Sequence, residues 1–259
     1  MRIVFIGTGT GVPLVDRGPS GVVVEQDGHH LLLDGGSGTI RGLVRAGLDF
    51  RAIDTCLYTH AHADHTLDLP ALVHALNFTP GYHRTSDLRI LGPAGFPGFV
   101  DLLFAAYPSL AMRKYSISVA EAGEAEHDFG WGRVRATAVP HGNTAAISYR
   151  IETADGVVVF SGDCSPSDIL PAFARGADLL VSEASFPEWV PEADFHLMTA
   201  QAARIAAGAG VKALVLTHFY PWPDPYDPVA LSRPHFSGMV IPATDGLVLE
   251  VRDGEVRLT

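Results

Sequence analysis

Five apolar segments of this chain each run directly into a residue able to bind a metal ion or move a proton. Residues 53–59 lead to His60, 134–140 to His141, 157–162 to Asp163, 179–182 to Glu183 and 211–217 to His218. Strands that end at one edge of a sheet carry such groups from distant sequence onto a rigid frame. A histidine that merely packs a core sits more often inside an element than at its end. Any one of these residues would be unremarked; five together are hard to read as packing.

The rest of the chain is consistent with a folded α/β protein. Asp27-Gly28, Asp155-Gly156 and Asp253-Gly254 each stand between a pair of short apolar runs. Each predicts a type I′ hairpin, because that turn needs positive φ at both central positions. Helical spacing marks 67–76, with Leu67, Ala71, Leu72, Ala75 and Leu76 on one face. Shorter helices are expected at 99–106 and 166–174, and an Ala-rich one carries Met198, Ala202, Ile205, Ala206 and Ala209 up to Gly208 and Gly210. With 259 residues, 47% hydrophobic and 18% charged, intrinsic disorder is excluded and one domain over 1–259 is expected. No apolar run approaches the ~20 residues that span a bilayer. The opening residues read as a first strand rather than a signal peptide. Cys56 and Cys164, two thiols in a chain that needs no staples, suit a reducing cytoplasm.

The densest motif is Thr59-His60-Ala61-His62-Ala63-Asp64-His65. Side chains alternate in an extended segment, so His60 and His62 project the same way and can grip one ion. Asp64 and His65 follow where the chain turns into a helix, and can address a neighbouring position. Imidazole and carboxylate suit Zn²⁺, with Mn²⁺ or Fe as alternatives.

The motif His60-x-His62-x-Asp64-His65, followed by His141, Asp163 and His218, resembles the two-metal ligand set of the metallo-β-lactamase superfamily. The resemblance implies an αββα four-layer sandwich, two mixed sheets flanked by helices with two divalent ions at one edge. Carried over, His60, His62 and His141 hold the first ion, Asp64, His65 and His218 the second, and Asp163 bridges them. Two Zn²⁺ with these carboxylates and a bridging hydroxide leave a net positive centre, so an acidic protein can still attract an anion. Within the superfamily the chain resembles the ribonuclease Z-like branch, which includes phosphodiesterases. That likeness rests on Gly7-Thr8-Gly9-Thr10-Gly11-Val12-Pro13, Asp34-Gly35-Gly36-Ser37-Gly38-Thr39, Ser182-Glu183-Ala184-Ser185-Phe186 with His196, and Thr217-His218-Phe219. It implies that His196 protonates the leaving oxygen, that Glu183 orients His196, and that the nucleophile is a metal-bridging hydroxide whose proton Asp64 can accept. Relatives are often homodimers, which carries over by analogy only.

The departures from that branch shape the expected substrate. At 259 residues the chain is expected to lack the long arm that grips tRNA, Lys occurs only at 114 and 212, and no Arg follows the last ligand in Phe219-Tyr220-Pro221-Trp222. Net charge is −11, from 18 Lys+Arg against 29 Asp+Glu, which disfavours polyanionic partners. The expectation is a phosphodiesterase for a small phosphodiester or nucleotide-like substrate. Alternatives are a hydrolase of carboxyl esters, lactones or thioesters, a tRNA 3′-processing endonuclease, or a non-catalytic metal-binding protein. The mixed His/Asp set weighs against the last, since structural zinc sites favour closed, Cys-rich tetrahedra. Gly7 to Val12 lacks the third glycine of a dinucleotide fingerprint and reads as a tight turn. Cys164 reads as packing, His235 as a weak candidate for the cleft rim, and Trp222 and Tyr226 as pocket walls or loop anchors.

Overall fold

The computed structural model describes residues 1–190, 195–223 and 225–259; Asp224, in the proline-rich loop 221–228, lies outside the described residues. Six strands come first: β1 (Arg2–Gly7), β2 (Gly21–Gln26), β3 (His29–Leu33), β4 (Thr55–Leu57), β5 (Leu88–Gly92) and β6 (Ile117–Glu121). Seven follow: β7 (Glu126–Asp128), β8 (Arg133–Val139), β9 (Ala146–Thr153), β10 (Gly156–Phe160), β11 (Leu179–Glu183), β12 (Ala213–Thr217) and β13 (Met239–Pro242). The chain then returns with β14 (Val248–Arg252) and β15 (Glu255–Leu258). The described helices are α1 (Thr39–Arg45), α2 (Ala63–Thr66), α3 (Asp68–Phe78), α4 (Phe96–Ala105), α5 (Ile169–Phe173), α6 (Thr199–Ala209) and α7 (Pro228–Ser232).

Two mixed sheets result, ordered β15-β14-β1-β2-β3-β4-β5-β6 and β13-β12-β11-β10-β9-β8-β7. The two-residue alternation of strands decides what lies between them. In β1, Ile3 and Phe5 face inward and join Leu31, Leu57, Tyr149, Val158 and Val215 in the core between the sheets. Val4 and Ile6 face outward onto Leu43, Leu72, Val73 and Phe96 of α1, α3 and α4. On the second sheet Val159, Leu180 and Leu214 face outward onto Ala202, Ile205 and Ala206 of α6. The layers are therefore helix, sheet, sheet, helix, as expected. Both thiols are buried in the outer layers. No described helix is long and apolar enough to cross a membrane.

Strand direction places the site. β10, β11, β12 and β13 run parallel, while β8 and β10 are both antiparallel to β9 and so share one direction. The carboxyl ends of β8, β10, β11 and β12 therefore open on one edge, where α/β sheets bind ligands.

Several local expectations need correction. Asp27 and Gly28 (φ 49° and 82°) and Asp253 and Gly254 (φ 53° and 71°) form the anticipated turns. The middle hairpin instead turns at Ala154-Asp155, because Gly156 already pairs with Thr153. A side chain at Gly156 would meet Val251 at 2.7 Å and Asp178 at 2.8 Å, and the residue holds φ 150°, so packing and backbone conformation both call for glycine there. The helix expected at 67–76 is α3 (Asp68–Phe78); Leu67 stands at its joint with α2 and is 52% exposed, and Leu69, Leu72, Val73 and Leu76 form the buried face. The helix expected at 99–106 begins at Phe96, and that expected at 166–174 spans only Ile169–Phe173. Gly208 lies inside α6, and Gly210, left-handed at φ 70°, caps it.

Candidate metal centre

The segment after β4 and the ends of β8, β10 and β12 bring five histidines and two aspartates together. Ligand atoms of His60, His62, His141 and Asp163 lie within 4.8 Å of one another, as do those of Asp64, His65 and His218. Asp163 joins the two groups: its Oδ2 is 3.8 Å from His60, 3.4 Å from His65 and 3.3 Å from His218. His60 and His62 project together as alternation requires, their rings 4.4 Å apart.

Each imidazole is anchored by one nitrogen, which determines what the other can do. Asp34 accepts from Thr59 Oγ1 at 3.0 Å, so the Thr59 hydroxyl in turn accepts from His60 Nδ1 at 3.0 Å. His65 donates Nδ1 to Asp34 at 2.8 Å, and His141 donates Nδ1 to the Phe195 carbonyl at 2.8 Å. Ser185 donates to Glu183 at 2.6 Å and accepts from His218 Nδ1 at 2.9 Å. His62 meets Thr144 through Nε2 at 3.1 Å and turns Nδ1 to His141. The proton positions follow from this network. The remaining nitrogen of each of the five imidazoles thus converges on one centre, with His65 Nε2 3.3 Å from His218 Nε2.

The electrostatics agree with a cation site. His60 is fully buried, its Nε2 has no hydrogen-bond partner, and burial beside His65 pushes its pKa down to about 2. A neutral imidazole with an unpartnered nitrogen can ligate a cation. Burial works against charge on Asp163, yet His218 and His65 outweigh it and hold the carboxyl well below the usual range. His65 is likewise buried, but Asp163 and Asp34 overcome that and raise it well above an ordinary histidine. Carboxylates in this core demand positive charge, and imidazole and carboxylate together fit divalent metal.

A second group adjoins the first. Glu183, at the end of β11, accepts from the Cys164 backbone at 2.6 Å, from Ser185, and from His196 Nδ1 at 3.0 Å. His196 Nε2 is left for the cleft. Burial disfavours charge on His196, but the Glu183 hydrogen bond and charge outweigh it and hold the pKa up at about 9. The seven expected ligands, Glu183 and His196 thus come together here, whereas His235 faces Arg204 on α6 and Tyr226 packs against Trp189 and the helical layer. Cys164 is buried in packing as expected, and Trp222 donates Nε1 to the Ser185 carbonyl at 3.0 Å.

Sequence reasoning assigns no role to Asp34, Thr59, Ser185 or Thr144, although Asp34 opens the glycine-rich stretch after β3. Its signal is backbone: Asp34 and His218 both adopt left-handed φ, 55° and 61°, which non-glycine residues rarely hold without a functional reason. The neighbouring glycines serve close approach. A Cβ on Gly36 would lie 2.1 Å from the Asp64 carbonyl oxygen, while Gly35 N donates to the His65 carbonyl at 2.6 Å. Gly36→Ala should therefore destabilise the fold by about 1–3 kcal/mol and loosen Asp64 and His65 together. Denaturant midpoints and metal titration check this, and a variant unchanged in both would contradict it.

Known proteins share this fold. A family described as a β-lactamase superfamily domain matches residues 29–219. The chain belongs to the metallo-β-lactamase superfamily. Among curated relatives, the ribonuclease Z of Bradyrhizobium sp. (strain ORS 278) is 31% identical over 84% of this chain and 89% of that protein. The ribonuclease Z of Methanosarcina acetivorans is 28% identical over 97% of this chain and 98% of that protein. Their alignment runs to 303 positions against 259 residues here, so that relative carries segments this chain lacks. The crystal structure of the metallo-β-lactamase fold protein YhfI from Bacillus subtilis superposes with a TM-score of 0.83 at 26% identity, covering 96% of this chain and 99% of that one. This superfamily member is a metal-dependent hydrolase of the ribonuclease Z-like branch. Members of the superfamily bind divalent metals, typically two.

Proposed function

We propose that the protein is a dinuclear phosphodiesterase acting on a small anionic phosphodiester. His60, His62 and His141 would hold one ion, Asp64, His65 and His218 the other, and Asp163 both, with Zn²⁺ favoured by the donor set. The observation that carries the reading is the convergence of five anchored imidazoles, each with its free nitrogen turned to the two carboxylates. Bound divalent ions would make water nucleophilic near neutral pH and neutralise charge on the transition state.

The chain's own residues supply the proton transfers. Asp64, held by the Gly11 N–H at 2.9 Å, is the acceptor for the nucleophile's proton. His196, kept protonated by Glu183, is the donor to the departing oxygen, and a poor alkoxide leaving group needs one. A carboxyl ester, lactone or thioester has less need of that acid, which favours the phosphodiester.

Metal analysis coupled to a panel of bis-nitrophenyl phosphate, lactones, thioesters and β-lactams tests this. Turnover confined to the phosphate ester in protein holding two ions is expected. Turnover confined to carbonyl substrates would overturn it. Asp34→Asn, which leaves His60 and His65 without their shared anchor, should cost about 10–100-fold in metal affinity; unchanged affinity would show that this anchor is dispensable.

A further inference from the structure

A cluster of rings beyond His196 has no role in the proton transfers above. Phe186 and Tyr220 lie nearly parallel, centroids 5.4 Å apart at 18°. Trp222 meets Phe186 edge-on at 5.6 Å and tilts toward Tyr220 at 6.4 Å. The Trp222 hydrogen bond to the Ser185 carbonyl fixes the indole, so little side-chain freedom remains to be lost on binding. All three rings are only half-buried.

The cluster borders the reacting groups. His196 sits edge-on to Phe186 at 5.5 Å and 6.0 Å from Tyr220, and Tyr220 is 6.1 Å from His218. The two segments that carry these rings, 183–199 and 218–232, contain no Lys or Arg. Apart from His196 at their border, a ligand group seated on these rings meets aromatic surface. It also lies on the His196 side of the centre, where the leaving oxygen would receive its proton.

We infer that Phe186, Tyr220 and Trp222 form a subsite for a planar aromatic or heteroaromatic group carried on the leaving side of the substrate. The inference rests on the phosphodiesterase reading of the same centre. Stacking on fixed aromatic rings is tolerant of which heterocycle is bound, because every such ring offers a π face. The subsite therefore selects planarity, and the phosphate is left to the metal centre.

Binding separates this from turnover. Calorimetric titration of the metal-loaded protein with benzylphosphonic acid and with cyclohexylmethylphosphonic acid compares a flat ring with a puckered one of similar size, and neither compound has an ester bond to cleave. The benzyl compound should bind about tenfold tighter, within the range that base–aromatic stacking supplies. Trp222→Leu combined with Tyr220→Leu should erase that preference, whereas Trp222→Phe should keep most of it. Equal affinities in the wild-type protein, which needs no variant to fold, would overturn the subsite, as would a preference that survives loss of both rings. A preference for the flat ring in protein that turns over no phosphodiester would support the subsite and overturn the phosphodiesterase reading. Phosphodiester turnover without the preference would do the reverse.

Discussion

Asp163→Ala should lose hydrolytic activity by on the order of 10³-fold or more and hold at most one metal ion. Removing a single electrostatic contact to a transition state costs about 10²–10³-fold. Asp163 does more than make one contact. A single carboxylate oxygen lies within 3.8 Å of nitrogens on His60, His65, His196 and His218, and the residue is only 3% exposed. Without it only Asp64, beside His65 and His218, offers negative charge, and like-charged occupants of the two positions would repel with no carboxylate shared between them. Metal content by mass spectrometry, alongside circular dichroism to establish folding, checks the claim. A folded variant that still binds two ions and hydrolyses at near wild-type rate would remove Asp163 from the centre.

His196→Ala gives the second large effect, and its size should depend on the substrate. General acid assistance contributes about 10²–10⁴-fold, so phosphodiesters with alkyl leaving groups should slow by that factor. Nitrophenyl esters, whose leaving group departs without a proton, should slow far less. Equal losses on both would dismiss His196 as the acid. The pH profile follows from the Glu183 contact. Because the His196 pKa is held up at about 9, the proton it donates is present at neutral pH and is lost as pH rises through about 9. Alkyl ester hydrolysis should fall across that range in the wild type, and the fall should vanish from the His196→Ala profile. The same raised pKa means that its contribution to stability is complete below the ordinary histidine range and disappears as pH climbs past about 9.

The residues that point inward are legible in the sequence because they obey local rules. His60 and His62 share a side by alternation, and His141, Asp163 and His218 each terminate an apolar run, so their convergence needs only strands of common direction. What holds those residues is not legible. Asp34 serves Thr59 and His65, 25 and 31 positions later, and this depends on β3 lying beside β4 in parallel register, which no local pattern announces. Ser185 links Glu183 to His218 across 33 positions for the same reason. Helix bounds drift where one apolar stripe covers two elements: Leu67 fits the spacing of α3 but sits at its joint with α2, exposed. The middle hairpin turns one residue before Asp155-Gly156 because Gly156 already pairs with Thr153, and the glycine there answers to its φ of 150° and to packing against Val251 and Asp178.

The provenance of the inward-facing side chains has a mechanical consequence. His60, His62, Asp64 and His65 hang from the first sheet, while His141, Asp163 and His218 hang from the second. Neither half of the chain can offer a whole coordination shell, so loading the centre fastens one sheet to the other. Whatever binds only the joined state stabilises it by mass action. Amide hydrogen exchange in strands of both sheets should accordingly slow in concert when divalent ion is added, and a slowing restricted to one sheet would mean that the two layers open independently.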